Sequence, residues 1–194
     1  GDWIEIDNEG NLIVSGGITQ IATFSDGGQL GSTDTPNDRK QTIILKLNGN
    51  TGDLLWKTYT DYIPKSSNNY YIYDNNIVIK SNGTIVSLVN EFNWNDDNTV
   101  KVLEISSADG TFNLVNEIPF TAFITDIELD NNDNIYLAGR DIRYVNSWNY
   151  SGILTKLDAN YNETWEALMT GSDVWLWNVE YDSINDLIQI SGSG

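Results

Sequence analysis

A short hairpin motif recurs along the chain, and this recurrence constrains the fold more than any other feature of the sequence. Residues 4–16 align with residues 127–139 without a gap, at an offset of 123. In both copies, two apolar runs flank a turn rich in Asp and Asn, which is the pattern of strand, tight turn and strand. Two weaker copies follow at an offset of 73 from the first copy and 52 from the third, the latter aligning Ile135 with Leu187.

A second signature follows each complete hairpin. Residues 44–56 align with residues 102–114 at an offset of 58, and residues 154–165 form a third copy that is one residue shorter. Each unit therefore contains four short strands, and repeats of this length indicate a solenoid, an array or a propeller. Four antiparallel strands in each unit favour propeller blades.

The repeat predicts an all-β fold, specifically part of a β-propeller with three four-stranded blades and half of a fourth. The predicted blades span residues 1–60, 61–120 and 121–171, and the half blade spans residues 172–194. A ring of six to eight blades needs roughly twice this length, so we expect a piece of a longer protein or one part of an assembly.

Residues 7–16 together with residues 46–56 resemble the repeats of bacterial secreted β-propellers of the seven-bladed kind. Residues 47–56 are also similar to the tryptophan-docking motif of quinoprotein-type propellers. This resemblance implies that Trp56, and Trp165 in the third unit, pack between neighbouring blades. The second unit departs from the pattern, with Leu114 at the docking position and Lys80 at the turn aspartate position.

The charge balance excludes several kinds of partner. The chain has 28 Asp and Glu residues against 10 Lys and Arg residues, a net charge of -18. Such a surface repels phosphate backbones and anionic headgroups, so we expect no nucleic acid and no membrane insertion. The chain contains no cysteine and no long apolar run. Together with the resemblance, this composition favours an extracellular or cell-surface location.

The predicted binding surface is the end of the blades that carries the long connections. In an antiparallel blade the turns from the first to the second strand and from the third to the fourth emerge at one end. The other connections emerge at the opposite end, and variable loops on a rigid scaffold commonly bind ligands. Aromatic residues in polar surroundings concentrate there, and the predicted ligand-binding residues are Trp94, Trp148, Tyr144, Tyr150, Tyr70 and Tyr71.

These aromatic residues have two interpretations. An exposed ring flanked by Asn and Asp stacks on the apolar face of a sugar while the amides bind hydroxyls. Alternatively, the rings fill the channel mouth or pack between blades. Trp175 lies just beyond the last loop, and Trp3 and Trp177 are expected in inner strands as core or channel lining.

Catalysis is not the predicted function. The chain has no histidine, which removes the commonest general base and Ser-His-Asp chemistry. A carboxylate pair remains conceivable among so many acids, the candidates being Asp96, Asp97, Asp126, Glu128 and Asp141. The alternative is a fragment of a propeller enzyme, either a carbohydrate-active enzyme or, as the resemblance suggests, a quinoprotein dehydrogenase. No cofactor is predicted, apart from calcium as a possibility.

The hairpin turns carry the candidate calcium ligands, which are Asp7, Glu9, Asp130 and Asp133. The same residue types also suit turns for reasons of backbone geometry and side-chain capping. Three N-x-[ST] sequons, at Asn82, Asn149 and Asn162, permit glycosylation in a secreted protein. The sequence thus predicts a non-catalytic extracellular module that binds a glycan or a protein through its long-loop face. A subunit of a filament or adhesin, packed by self-association, is the alternative.

Overall fold

The computed structural model describes residues 3–18, 21–24, 26–31, 41–59, 70–73, 76–93, 99–118, 122–141, 150–171 and 173–194. In these residues every regular element is a β-strand, so the all-β prediction is confirmed. No helical segment there has the length and hydropathy of a membrane span. The strands are β1 (Trp3–Ile6), β2 (Leu12–Ile18), β3 (Ala22–Thr23), β4 (Gln29–Leu30), β5 (Gln41–Leu47), β6 (Leu54–Tyr59), β7 (Tyr70–Tyr73), β8 (Ile77–Ile79), β9 (Ile85–Asn93), β10 (Thr99–Ile105), β11 (Phe112–Ile118), β12 (Ala122–Leu129), β13 (Ile135–Asp141), β14 (Ser151–Leu157), β15 (Glu163–Met169), β16 (Trp175–Asp182) and β17 (Leu187–Ser193).

The strands form antiparallel sheets whose neighbours follow one another along the chain. The first sheet has the order β1-β2-β5-β6 and the third has the order β12-β13-β14-β15. The second sheet has the order β11-β10-β9-β7, with β8 also paired to β9, so its first strand is in two pieces. Strands β16 and β17 pair with each other, and β3 and β4 form a small hairpin within the connection from β2 to β5.

The fourth hairpin differs from the predicted alignment by one residue. Leu129 pairs with Ile135 across the third hairpin, whereas Asp182 pairs with Leu187 and Tyr181 with Ile188 across the fourth. The turn of the fourth hairpin is therefore one residue longer. Ile188, and not Leu187, occupies the position of Ile135.

The chain divides into two compact units, Gly1–Asp96 with Lys101–Glu117 and Asp97–Val100 with Ile118–Gly194. In the first unit, the first and second sheets pack around a cluster of buried isoleucines. Alternation along each strand brings these side chains to one face of their sheet. The cluster consists of Ile13, Ile44, Ile77, Ile85 and Ile105, with Trp3, Trp56, Ile79 and Phe112 packed against it.

Trp56 joins the first sheet to the turn between β10 and β11 of the second. Its indole Nε1 donates to the carbonyl oxygen of Ser107 at 2.9 Å. The ring covers Gly110, where a Cβ atom would lie 2.8 Å from Trp56 Cε3. Gly110 also has a φ of 75°, which side-chain-bearing residues rarely adopt. The indole and the glycine therefore form one docking site between neighbouring sheets.

In the second unit, β16 packs on the third sheet and is fixed there by two side chains of β12. The hydroxyl of Thr125 donates to the carbonyl oxygen of Leu176 at 2.6 Å. The buried carboxylate of Asp126 accepts from the amide of Val179 at 2.7 Å. Thr125 is the extra residue of a β-bulge between Ile124 and Asp126, and the bulge directs both groups at the neighbouring strand. Asp126 is thereby engaged in a structural contact.

The turn aspartates have the same role wherever the motif recurs. Asp7 Oδ1 accepts from the amides of Glu9 and Asn11 at 2.9 and 2.8 Å. Asp130 Oδ1 accepts from the amides of Asn132 and Asn134 at 2.9 and 3.0 Å. Each carboxylate thus replaces backbone partners that a tight turn leaves unpaired. The repeated Asp and Asn residues are therefore explained by turn geometry.

An ion pair links the first turn of each of the three large sheets to its third strand. The Nζ atom of Lys46 lies 2.8 Å from Asp7 Oδ2, and that of Lys156 lies 3.2 Å from Asp130 Oδ2. In the second sheet the lysine is in the turn, and its Nζ lies 3.0 Å from Oε1 of Glu104 on β10. The replacement of the turn aspartate in the second repeat is thus matched by an acid on the partner strand.

The first sheet carries an aliphatic outer face, on the side away from the isoleucine cluster. Residues that are directly paired across strands share a face, and the pairing brings seven aliphatic residues together. Two of them are well exposed, with Ile4 at 58% and Ile6 at 67%. The outer face consists of Ile4, Ile6, Leu12, Val14, Leu45, Leu47 and Leu54.

Candidate functional site

An aromatic cluster forms where two connections of the second unit meet. The connection that leaves β13 returns at Tyr150, and the connection from β15 leads into Trp175 at the start of β16. The amide of Val174 donates to the carbonyl oxygen of Tyr150 at 2.8 Å, which joins the two connections. Within the second unit, these two connections therefore emerge at the same end of the sheet, which is the end predicted for ligand binding.

The cluster is built around the guanidinium group of Arg140. Its Cζ atom lies 3.9 Å from the centroid of the Tyr150 ring and 3.8 Å from that of Trp175. These two rings meet at 71°, with centroids 6.4 Å apart, so the guanidinium lies in the corner between them. Trp175 also stacks on Trp177 at 4.9 Å and 23°. Since a ring has two faces, Arg140 and Trp177 lie on opposite faces of Trp175.

The charge of Arg140 is only partly compensated. Burial disfavours the charged form and lowers the pKa of Arg140, while the nearby Tyr150 and the Asp173 carboxylate act in the opposite direction. Asp173 is itself held by the indole of Trp175, whose Nε1 donates to Oδ1 at 2.9 Å. The Nε atom of Arg140 is buried and has no hydrogen-bond partner. The side chain therefore retains unused donor capacity.

Trp177 is the exposed member of the cluster. Its side chain is 50% exposed, and its Nε1 donates to Ser193 Oγ at 3.1 Å, which fixes the indole against β17. Of the two expectations for this residue, the core position is therefore wrong, and channel lining stays a prediction. A β-bulge between Leu176 and Asn178 is the physical reason, because it turns the extra residue out of the alternating pattern.

Polar residues follow the exposed indole along β16 and β17. Asn178 is paired with Ser191, and Glu180 with Gln189, across β16 and β17, so these four side chains share one face. All four are exposed. A flat indole beside amides, hydroxyls and a carboxylate has the composition of a sugar-binding surface.

No protein-family model matches the sequence, and no curated protein matches it either. The candidate site is thus defined by its own geometry.

Of the six predicted binding residues, the structure brings Tyr150 into the cluster. Tyr70 and Tyr71 lie in β7, whereas Trp94, Tyr144 and Trp148 lie outside the described residues. A ligand-binding role for these five residues stays a prediction. Sequence reasoning missed Arg140 and Trp177 as site residues. The bulge interrupts alternation at Trp177, so periodicity contained no signal for it.

The calcium candidates occupy turns that have other partners. Burial disfavours the Asp7 carboxylate, but hydrogen bonds from Lys46, Asn11 and Glu9 outweigh it and hold its pKa below the ordinary value. Glu9 Oε2 lies 3.4 Å from the same lysine, and Asp133 has a φ of 59° at a turn position. Carboxylates already paired with an ammonium group do not suit a dication. Among the described residues, no group of three or more acidic side chains could hold a metal ion.

The remaining candidates differ in their surroundings. Asp141 is buried. Asp96, Asp97 and Asn149 lie outside the described residues. Two sequon asparagines are exposed in turns, where Asn82 Oδ1 accepts from the amide of Thr84 at 2.9 Å and Asn162 Nδ2 donates to Asp158 Oδ2 at 3.0 Å. Glycosylation of Asn162 would remove that bond. Glycosylation at the sequons stays a prediction.

Proposed function

We propose that this protein is a non-catalytic, extracellular or cell-surface recognition module that binds carbohydrate through the aromatic cluster of its second unit. The observation that carries the proposal is the exposed, immobilised indole of Trp177 on a polar face. A ring that is already held by Trp175 and Ser193 loses little conformational entropy when a sugar stacks on it. The polar neighbours supply donors and acceptors for hydroxyl groups.

The proposal includes a propeller architecture of three blades and half of a fourth. Two observations support it. Consecutive antiparallel strands form four-stranded sheets, as propeller blades do. Trp56 packs on the turn of the next sheet, as the resemblance to tryptophan-docking repeats implies.

The carbohydrate proposal predicts that Trp177→Ala weakens glycan binding at least about tenfold, because tenfold corresponds to only about 1.4 kcal/mol of stacking. The measurement is retention of the purified chain on a panel of immobilised polysaccharides. Trp165→Ala is the matched control, since Trp165 is 41% exposed in the same unit but outside the cluster. Equal retention of the two variants, or no retention of the wild-type chain on any glycan, contradicts the proposal.

A second candidate function, self-association, is favoured by the aliphatic outer face of the first sheet. Ile127 and Ile135 hold the positions of Ile4 and Leu12 in the third sheet, and they are 1% and 0% exposed. The positions that correspond to Ile4 and Leu12 are thus buried in the third sheet. A second copy of the chain fits the outer face, because identical aliphatic faces are complementary to each other in a two-fold dimer.

Self-association predicts that Ile6→Lys converts an associated species into a monomer, because a buried lysine without a partner is costly. Sedimentation velocity at several protein concentrations measures the change. Ile184→Lys is the control, as Ile184 is 91% exposed in a turn of the second unit. A wild-type chain that sediments as a monomer at all concentrations excludes this function.

A further inference from the structure

We infer that the aromatic cluster selects acidic oligosaccharides, with the guanidinium group of Arg140 binding a sugar carboxylate and Trp177, on the far side of Trp175, stacking on another residue of the same oligosaccharide. This inference rests on the proposed carbohydrate function. It adds the chemical class of the ligand, which is a uronic-acid-containing chain.

The first argument is the fixed position of the guanidinium group. Tyr150 and Trp175 contact it at 3.9 and 3.8 Å from two directions, which restrains a side chain that is otherwise among the most flexible. A restrained arginine presents its planar donors without a further loss of rotamer entropy. Planar donors match the two oxygens of a carboxylate, and the resulting bidentate hydrogen bonds are strong.

The second argument is the lack of a protein anion on this cation. Among the described residues, no carboxylate forms an ion pair with Arg140 within 4.0 Å, although other basic residues of the chain, Lys46, Lys57, Lys80 and Lys156, each have one. An external carboxylate would supply the missing partner.

The overall negative charge does not prevent this interaction. Charges separated by more than about 8 Å are largely screened at physiological ionic strength, whereas a bound carboxylate would touch the guanidinium. Asp173 is the acidic residue whose charge acts on Arg140, and it weakens the attraction for a second anion. Removal of the Asp173 charge is therefore expected to strengthen binding of an acidic sugar.

The spacing of the two contacts indicates an oligosaccharide. Arg140 and Trp177 lie on opposite faces of Trp175, 3.8 and 4.9 Å from its centroid. Because Trp175 occupies one face of Trp177, a sugar residue stacks on the other face and is separated from a carboxylate on Arg140 by both indole rings. A ligand of two or more residues spans that separation, with a neutral part on the indole and an acidic group on the arginine.

The test compares trigalacturonate with its methyl ester, which has the same sugar rings without the charge. Calorimetric titration at physiological salt is expected to give at least about tenfold tighter binding of the acid, because only the acid forms a charge-assisted hydrogen bond with the guanidinium group. Arg140→Gln is expected to make the two affinities equal. Arg140→Lys is expected to recover only part of the preference, because the ammonium group lacks the planar fork.

Two further variants separate the inference from the proposed function. Asp173→Asn keeps an oxygen for the Trp175 indole and is expected to tighten binding of the acid alone. Trp177→Ala is expected to weaken binding of both ligands.

Equal binding of acid and ester by the wild-type chain, or an acid preference that survives Arg140→Gln, overturns the inference while the carbohydrate function stands. Tighter, Arg140-dependent binding of a sulfated trisaccharide assigns the site to sulfate esters and also overturns it. Binding of neither uronide also overturns the inference, whereas the carbohydrate function is contradicted only if the wild-type chain binds no glycan of the immobilised panel.

Discussion

Lys46→Glu is expected to destabilise the first unit by about 3–5 kcal/mol, the cost of breaking a buried ion pair. Lys46 and Asp7 have side chains only 7% and 4% exposed, and their charged atoms are 2.8 Å apart. Lys46 Nζ also donates to the carbonyl oxygen of Ser107 at 3.0 Å. A glutamate at this position would face the Asp7 carboxylate with little water to separate the charges. The loss of stability is measured by denaturant unfolding and, locally, by hydrogen exchange at the amides of β5.

Reversal of both charges provides the decisive comparison. The double variant Asp7→Lys with Lys46→Glu is expected to recover most of the lost stability, because the second sheet already has this arrangement in Lys80 and Glu104. Recovery is incomplete, since the bond to Ser107 and the two turn-capping hydrogen bonds accepted by Asp7 are lost. Lys57→Glu is the control, as its partner Asp26 is 47% exposed, and exposed pairs contribute about 0–1 kcal/mol. A double variant as unstable as Lys46→Glu alone would show that the pair is not the source of the effect.

The contribution of the pair is expected to depend on pH in one direction. Burial disfavours ionisation of Asp7, and its hydrogen-bond partners outweigh this and depress the pKa. A depressed carboxyl pKa stabilises the fold above the unfolded value of about 3.9, and the stabilisation is lost as the pH falls through the lower folded-state pKa. The stability difference between wild type and Lys46→Glu should therefore shrink in acid.

Trp56→Ala is expected to reduce stability by about 3–5 kcal/mol, the usual cost of removing a packed tryptophan. The variant loses the indole bond to Ser107 and leaves a cavity above Gly110, whose lack of a side chain is matched to the indole. Trp165→Ala removes the same residue from the equivalent position of the third repeat. That indole is 41% exposed and contacts the edge of Tyr136, with ring centroids 6.1 Å apart. Its loss is expected to cost about 1 kcal/mol.

The comparison between the two tryptophans tests docking itself. Far-UV circular dichroism in a denaturant series is the suitable measurement, because it does not depend on tryptophan fluorescence. A similar loss of stability for both variants would mean that each indole stabilises only the sheet that contains its own strand. A large loss confined to Trp56→Ala would show that the contribution comes from the turn of the neighbouring sheet.

Much of the fold follows from the sequence because the repeat fixes local structure. The Asp and Asn residues of the turns cap backbone amides within four residues, so their effect is visible in the sequence alone. The alternation of apolar residues identifies the strands in the same way. The lysine that replaces the turn aspartate at position 80 is explained by its partner Glu104 on the third strand of the same sheet.

The candidate site was less predictable because bulges and long connections determine it. One extra residue in β16 exposes Trp177, which strict alternation assigns to the core. Arg140 acquires its role from Tyr150 and Trp175, which are brought to it by two separate connections. The small hairpin of β3 and β4 likewise lies in a connection without a repeat signal. Such features depend on tertiary packing, which periodicity does not encode.

The ion pair is reversed in the second repeat, where the turn carries the lysine and the strand carries the acid. This reversal helps a chain of similar repeats to avoid misfolding. Neighbouring repeats have strands of nearly the same pattern, and such strands are prone to exchange during folding. If β5 and β10 traded places, Lys46 would meet Lys80 and Glu104 would meet Asp7. Both mismatches are repulsive, so strand exchange between adjacent repeats is penalised while correct pairing is rewarded.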